Sequence, residues 1–443
     1  MRKRSFLGMI APLLIVHSAI AHSQTARLTP PPADSIFCNP AATDDLLESY
    51  SGCDIAVALL ATEQASNSKM NVVPAQIDAR ARSKALSSKN EIVQRLAQQG
   101  ISLRVSLVSE LSRSFREGRE YRDASPWFAG ELLNTFLSIN GGKSLGWKGS
   151  SALVRLSQYA GLGSEDSLGE VQCFSNIDGP ARTTVYELWF QQLLINNKVR
   201  VKVGKIDATT EFAQVPTAGD FLNSSMGYSP TIQGFPTYPE PKTGIGLFLT
   251  PNRTYALGLG AFQTQDGGKL SIAETARTWT THDDLAGRVS IGYWRLDGLH
   301  AGFDGSPLSV TQGAYGVAEQ SFWRSAATDG KIARAMSGFM QFGTADGSSS
   351  RVTRHIGGGV VIEGTFGNRS RDSVGFAFTR VGFSADLNKE TDNRDELIFE
   401  TYYKLNISRQ VAFVPDIQWI QYPSGALHES GAPVVSQRVV VSF

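Results

Sequence analysis

The last ten residues of the chain, 434–443, read VVSQRVVVSF and alternate between apolar and polar side chains. A side-chain period of two is typical of a β-strand with one apolar and one polar face. The apolar face carries Val435, Val439, Val441 and Phe443, and the polar face carries Ser436, Arg438 and Ser442. Stretches with the same alternation recur from about Ile101 to the C-terminus, so the pattern predicts a chain built mainly of two-faced strands.

From Ile101 onward the sequence predicts sixteen strands, an even number of the kind found in bacterial outer-membrane barrels. They cover approximately residues 101–112, 126–139, 150–160, 183–195, 198–206, 243–250, 254–265, 269–280, 286–296, 310–324, 331–344, 351–363, 371–384, 394–407, 410–421 and 432–443. The segment 243–250 is short and the segment 269–280 alternates weakly, so the sequence pattern supports these two strand predictions least.

The strands predict a closed sheet in a membrane. Lipid satisfies no backbone N–H or C=O group, so only a closed sheet hides all its edges within a bilayer. A mean hydropathy of -0.15 excludes a helical membrane protein, and a net charge of +1 argues against a nucleic-acid binder. We therefore predict an all-β fold, a sixteen-stranded antiparallel transmembrane β-barrel with a short N-terminal helical extension.

Three regions follow from the pattern. Residues 1–21 resemble a secretory signal peptide, with a basic start, an apolar stretch at Phe6–Val16 and small residues at Ala19-Ile20-Ala21; an uncleaved anchor is the alternative. Residues 22–100 form a periplasmic N-terminal extension, in which Lys84–Gln99 favours a helix that stops at Gly100. This helix is either a simple lead-in or a plug that regulates the pore. Residues 101–443 form the barrel.

The three cysteines leave two interpretations open. Cys38 and Cys53 either pair in an oxidising periplasm and leave Cys173 alone, or stay as free thiols.

The sequence also predicts where the connections between strands lie. Asn196-Asn197 and Pro251-Asn252 predict tight periplasmic turns. The longest connection, about 206–242, is predicted on the outer side, where folding inward narrows the pore.

The polar faces of the strands supply the candidate pore lining. In the fourth strand Tyr186, Leu188 and Phe190 alternate with polar or amphipathic residues, and similar alternation marks the fifth, ninth and fourteenth strands. A Lys or Arg on the lipid face costs about 2–4 kcal/mol at mid-depth, so the charged face is predicted to line a wet lumen. The candidate solute-binding residues are Arg155, Glu187, Trp189, Arg200, Lys202, Asp207, Glu211 and Trp294.

Charged groups that offer strong hydrogen bonds, together with inward tryptophans, suit a neutral polyhydroxylated solute. The alternative is that the charged pairs only neutralise one another inside the wall. No catalytic residue, cofactor or metal site is predicted. Gly141-Gly142-Lys143-Ser144 lacks the first glycine of a phosphate-binding loop, because Leu137 stands in its place.

The region from about Glu91 to Phe443 resembles the carbohydrate-selective porins of the OprB type. The resemblance is carried by the order and spacing of short motifs: GEVQ (169–172), SNID (175–178), YELW (186–189), VGKID (203–207), EFA (211–213), FLNSS (221–225), YP (238–239), GYW (292–294) and ETYY (400–403).

This resemblance implies an outer-membrane channel that passes glucose and related sugars by facilitated diffusion. It also implies an eyelet of inward-folded loops, here about 160–182 and 206–242. A general porin for small polar solutes is the alternative of the same class, and a barrel enzyme or adhesin is the alternative of another class. A homo-oligomer such as a trimer is left open.

Overall fold

The computed structural model describes residues 91–115, 127–162, 169–325, 333–366, 369–386, 395–426 and 431–443. Within them lies one closed barrel in which every strand pairs antiparallel with its sequence neighbours and the first strand pairs with the last. The fold prediction is therefore confirmed. The predicted signal peptide and most of the predicted extension lie outside the described residues and stay predictions.

Sixteen strands form the barrel, and each lies within a few residues of its predicted span. They are β1 (Ile101–Ser114), β2 (Trp127–Asn140), β3 (Ser150–Leu162), β4 (Arg182–Leu194), β5 (Val199–Ile206), β6 (Lys242–Leu249), β7 (Tyr255–Gln263), β8 (Lys269–Thr280), β9 (Ala286–Ala301), β10 (Pro307–Ser325), β11 (Arg334–Ala345), β12 (Val352–Glu363), β13 (Ser373–Phe383), β14 (Glu396–Asn406), β15 (Val411–Gln421) and β16 (Ala432–Ser442).

Three α-helices are described: α1 (Glu91–Gln98), α2 (Gly141–Ser144) and α3 (Ser224–Gly227). Helix α1 is the described part of the predicted N-terminal helix, and Gly100 follows it with a φ of +80°, as expected of a glycine that ends a helix. None of the described helices has the length and apolar character needed to span a membrane.

The barrel closes between β1 and β16. Pairs from Ser106↔Ser442 to Ser114↔Val434 join the two strands. On the inner face of this seam, Arg438 forms an ion pair with Glu110, with Nη2 and Oε2 2.5 Å apart. The first and last strands are thus held by backbone pairing and by a buried charge pair, and the sheet formed by the described residues has no open edge.

The predicted faces are observed in the structure. Leu188 and Ile291 point outward and are 54% and 56% exposed, as an apolar band facing lipid requires. Glu187, Lys202 and Arg288 point inward and are buried.

Tyr186 is the exception to this alternation. It was predicted on the outer face with Leu188, but a register shift between β3 and β4 pairs Arg155 with Glu187 and Leu156 with Val185, leaving Tyr186 without a partner. This irregularity turns Tyr186 inward, so the prediction for this residue is wrong.

The two ends of the barrel differ in their connections. Near the chain termini the turns are short: Ile195, Asn196 and Asn197 all have positive φ, and the Asn252 side chain accepts hydrogen bonds from Thr254 and Tyr255. Both predicted tight turns are confirmed. The long connection 207–241 lies at the opposite end. Short periplasmic turns and longer outer loops are typical of bacterial barrels, so the terminal end is the periplasmic one.

Two outer connections fold into the barrel. Residues 169–181 form the short inner loop, and residues 207–241 form the long inner loop, which contains α3. Phe212 and Phe221 of the long inner loop are buried against wall aromatics such as Phe248 and Tyr402. The predicted inward folding of the loops is therefore observed.

Cys173 lies in the short inner loop and is disulfide-bonded. The interpretation that leaves Cys173 alone is therefore wrong. Cys38 and Cys53 lie outside the described residues.

Candidate functional site: the constriction

The long inner loop is held inside the lumen by carboxylates of three wall strands. Glu274 of β8 accepts a hydrogen bond from the Ala213 backbone N–H at 2.8 Å, and Glu319 of β10 accepts one from Thr217 at 2.8 Å. Glu400 of β14 accepts the backbone N–H groups of Leu222 and Asn223. Charge-assisted bonds to backbone N–H groups are among the stronger hydrogen bonds in proteins, so these three carboxylates fix the loop's path.

The short inner loop is held in the same way. Glu396 of β14 accepts hydrogen bonds from the backbone N–H groups of Val171 at 2.9 Å and Gln172 at 2.8 Å. Asn223 of the long inner loop donates its side-chain amide to the Gln172 carbonyl at 3.0 Å. The two inner loops are therefore linked to each other as well as to the wall.

Glu396 and Glu400 lie on the inward face of β14, as their alternation predicted. They bind loop backbone there instead of facing the channel water. The fourteenth strand thus supplies loop anchors, and a solute in the channel does not meet these carboxylates in this conformation.

Glu211 of the long inner loop inserts between two cations of β5. Its two carboxylate oxygens lie 2.7 Å from Arg200 Nη2 and 2.7 Å from Lys202 Nζ. Both cations also contact aromatic rings, because Arg200 lies 3.8 Å from the Phe248 ring centroid and Lys202 lies 4.0 Å from that of Trp189. We call Arg200, Lys202 and Glu211 the charge clamp.

Burial of Glu211 acts to raise its pKa, but the charges of Arg200 and Lys202 and their hydrogen bonds act more strongly and lower the pKa to about 2. Glu170 of the short inner loop shows the opposite result. Burial first of all, and then the charge of Glu396, raise the pKa of Glu170 to about 8. The two loops therefore carry carboxylates in opposite electrostatic surroundings.

Arg155 of β3 occupies a buried pocket beside the charge clamp. Its guanidinium carbon lies 4.0 Å from the Tyr186 ring centroid and 5.1 Å from that of Phe136. Nε donates to Asn134 at 3.0 Å, and Nη1 lies 3.6 Å from Glu187 Oε2. Within the described part of the chain, neither Nη1 nor Nη2 of Arg155 has a hydrogen-bond acceptor.

Asp207 fixes the root of the long inner loop. Its carboxylate accepts hydrogen bonds from the Tyr186 hydroxyl at 2.7 Å, from the Thr209 hydroxyl at 2.6 Å and from the Thr237 hydroxyl at 2.8 Å. Thr209 lies at the start of the loop and Thr237 near its end. Asp207 therefore ties both ends of the loop to β4.

Trp189 of β4 lies between Glu187 and Lys202 and contacts both. Its indole N–H donates to Glu187 at 3.2 Å, and the Lys202 ammonium lies over its ring. Seven of the eight predicted residues thus form one connected cluster, which comprises Arg155, Glu187, Trp189, Arg200, Lys202, Asp207 and Glu211.

Trp294 lies apart from this cluster. It points inward on β9, as predicted, but it is 0% exposed and lies in the apolar core that the long inner loop forms with the wall. In this conformation its ring faces packed side chains and not channel water.

Three residues of the site were not anticipated from sequence: Phe136, Asn134 and Tyr186, all of which contact Arg155. Phe136 and Asn134 share the inward alternation of β2, so their spacing carried a usable signal. The sequence signal for Tyr186 was misleading, because strict alternation places this residue on the lipid face. The described residues also contain no group of three His, Cys, Asp or Glu side chains suited to a metal ion.

Comparisons with known proteins agree with this geometry. The family model for the carbohydrate-selective porins of the OprB family matches residues 133–305 and 299–443. Porin B of Pseudomonas aeruginosa is 20% identical over 409 residues, which cover 79% of this chain and 88% of that protein.

Two solved structures of Pseudomonas putida OprB share the fold. The high-pH structure matches with a TM-score of 0.70 at 19% identity, covering 79% of this chain and 96% of that chain. The low-pH structure matches with a TM-score of 0.53 at 16% identity, covering 79% and 95%. Since the family model spans most of the barrel, the chain belongs to the carbohydrate-selective porin family, and it is an outer-membrane sugar channel of Gram-negative bacteria and not an enzyme.

Proposed function

We propose that the constriction passes glucose and related neutral sugars by passive diffusion, and that Arg200 and Glu211 of the charge clamp form its contact surface together with Trp189. The observation that carries this proposal is the position of the clamp, where a loop carboxylate is gripped by two wall cations beside an indole ring. Acidic, basic and aromatic groups thus meet on one quadrant of the wall.

Exposure divides the cluster into two roles. Arg200, Trp189 and Glu211 keep 11%, 8% and 6% of their surface exposed, so these three can touch a solute. Arg155 and Asp207 are fully buried. We assign them a positioning role, because they hold β3, β4 and the root of the long inner loop in place.

The proposed contact suits a sugar. Guanidinium and carboxylate groups form charge-assisted hydrogen bonds with ring hydroxyls, while the face of an indole ring offers an apolar surface to the C–H side of the ring. Each group is already paired within the protein, which keeps the added affinity low. Weak binding is what a channel requires, since a solute that binds tightly does not leave.

Single-channel recording in planar bilayers tests the proposal. Glucose added to either side should reduce the ion current in a concentration-dependent manner, and a charged amino acid of similar size should do so less. A current that no sugar reduces would favour the general porin. Only a protein that forms no open channel in the bilayer would favour the alternative function of an adhesin.

A homo-oligomeric state, of which a trimer is one form, also stays a prediction. Light scattering of the detergent-solubilised protein, corrected for bound detergent, gives the protein mass and decides between one barrel and several.

A further inference from the structure

Two arginines share one carboxylate on the outer surface of the barrel. Arg380 of β13 donates from Nε to Asp395 at 2.7 Å, and Arg354 Nη2 of β12 lies 3.7 Å from the other oxygen of the same carboxylate. Asp395 immediately precedes β14. We call Arg354, Arg380 and Asp395 the exterior arginine cluster, which carries two positive charges and one negative charge.

Both arginines point away from the lumen. Arg354 is 71% exposed and Arg380 is 57% exposed, whereas the next residues along their strands, His355 and Val381, are buried. The cluster therefore adds nothing to the pore lining and needs a different explanation.

The cluster lies at the edge of the apolar band. Arg354 is the third residue of β12 and Arg380 is the fourth from the end of β13, both at the end of the barrel opposite the chain termini. An arginine on the lipid face is costly at mid-depth but nearly free at the interface. The outer-leaflet interface, where lipid headgroups lie, is thus the depth at which these charges are tolerated.

The neighbouring strand makes room for the guanidinium of Arg354. Gly382 pairs with Arg354 across the β12–β13 ladder. A Cβ at Gly382 would lie 2.9 Å from Arg354 Nε and 3.1 Å from Asp395 Oδ1. The absence of a side chain at Gly382 therefore lets the guanidinium lie across the sheet and reach Asp395.

An apolar surface continues below the cluster on the same outer face. Ile356 pairs with Arg380 and is 43% exposed, and Phe376 and Phe399 further down are exposed as well. A ligand that places an anion on the arginines thus has room for hydrocarbon chains against these three side chains.

We propose that the exterior arginine cluster binds the phosphate of a phosphorylated glycolipid in the outer leaflet. Guanidinium groups match phosphate geometry with paired hydrogen bonds, and the excess positive charge is left unmatched by Asp395. The continuous apolar wall favours a lipid phosphate over free phosphate, because only the lipid also covers Ile356, Phe376 and Phe399.

The test compares two exterior sites in the full-length protein. Native mass spectrometry in detergent measures binding of bisphosphorylated lipid A to the parent, to Arg354→Gln/Arg380→Gln and to the control Arg295→Gln. Arg295 is also exposed on the barrel exterior, but it is a single arginine paired with Asp297, at 2.8 Å, and not one of two arginines that share a carboxylate. We expect the double variant to bind about tenfold more weakly or worse, and the control to bind like the parent.

Two further binding measurements identify the chemical group that the cluster recognises. Lipid A without its phosphates should bind the parent as weakly as phosphorylated lipid A binds the double variant, and millimolar inorganic phosphate should not displace the lipid. Should the double variant fold poorly, Arg380→Lys takes its place, because it keeps the charge, loses the paired geometry and should weaken binding by a smaller factor.

Parent-like binding by these variants would overturn the proposal, as would an equal loss in the Arg295 control. Complete displacement by inorganic phosphate would overturn it as well, since the cluster would then hold a free anion.

Discussion

The two inner loops are held by the same wall chemistry, but each carries a glutamate and the two glutamates lie in opposite electrostatic surroundings. Wall carboxylates grip backbone N–H groups in both loops, through Glu400 for the long inner loop and Glu396 for the short one. The long loop adds Glu211, which two wall cations hold, whereas the short loop buries Glu170 beside a wall carboxylate. One loop is thus held more firmly when its carboxylate is ionised, and the other when its carboxylate is protonated.

This difference separates the groups that fix the position of a loop from the groups that determine which solutes the constriction binds. A backbone N–H group is present at every residue except proline, so the wall carboxylates fix where a loop runs with little regard to its side chains. The charge clamp depends on one particular loop residue. We infer that the wall carboxylates set the width of the constriction and that the charge clamp sets its affinity for solutes.

The largest effect is expected from Glu400→Ala. It removes the acceptor for the Leu222 and Asn223 backbone N–H groups, each worth about 1.5–3 kcal/mol as a bond to a charged group. The long inner loop should leave the wall, so single-channel conductance should rise and sugar block should largely disappear. The matched control is Glu240→Ala, since Glu240 lies on the same loop but is 43% exposed and pairs with Lys242 at 3.4 Å. Unchanged conductance in Glu400→Ala would show that wall carboxylates do not set the width.

Glu211→Gln should have the next largest effect. With an ordinary pKa of 4.5 and a folded pKa of about 2, ionised Glu211 contributes stability that is fully present above pH 4.5 and lost as pH falls toward 2. The shift corresponds to about 3 kcal/mol. In the variant, Arg200 and Lys202 lose their partner, so anion preference should increase and the sugar block should weaken.

Thermal unfolding measured from pH 6 to pH 2 checks this sign. The parent should lose more stability than Glu211→Gln over the acid range, and reversal potentials in a salt gradient report the ion preference. Parallel acid profiles for the two proteins would count against the charge clamp.

Glu170→Gln tests the other loop with the opposite sign. A carboxyl whose folded pKa is raised from 4.5 to about 8 binds its proton more tightly when folded, so stability falls as pH rises through that interval. The amide substitution removes this dependence and should stabilise the short inner loop at pH 8. Hydrogen exchange at residues 169–181 measures it, with protection in the variant higher at pH 8 and nearly equal to the parent at pH 4.5 after correction for intrinsic rates. A parent loop whose protection does not change between those pH values would contradict this account.

Much of the barrel, but less of the site, was predictable from sequence. Lipid on one side and water on the other force strict alternation, so Val203 and Lys202 of β5 reveal their faces without any knowledge of distant contacts. The loop anchors depend on pairs such as Glu400 with Asn223, which are far apart in sequence and carry no local signal. Tyr186 was misplaced because alternation cannot show where a ladder skips a residue. Alternation gave the inward direction of Trp294, but it could not show that a folded loop covers this side chain.

The smallest effect is expected from Trp189→Ala. The indole of Trp189 donates to Glu187 and supports Lys202 from below, and a cation–π contact of this kind contributes about 0.5–2 kcal/mol. Because the wall carboxylates still hold the long inner loop, open-channel conductance should stay nearly unchanged while the glucose concentration for half-block rises severalfold. Trp279→Ala is the control, since Trp279 is an exterior tryptophan on β8 and should leave both quantities at the parent value. If Trp189→Ala changes conductance as much as it changes sugar block, the indole helps to hold the long inner loop in position. The width of the constriction and its affinity for solutes would then not be set by separate residues at this point of the wall.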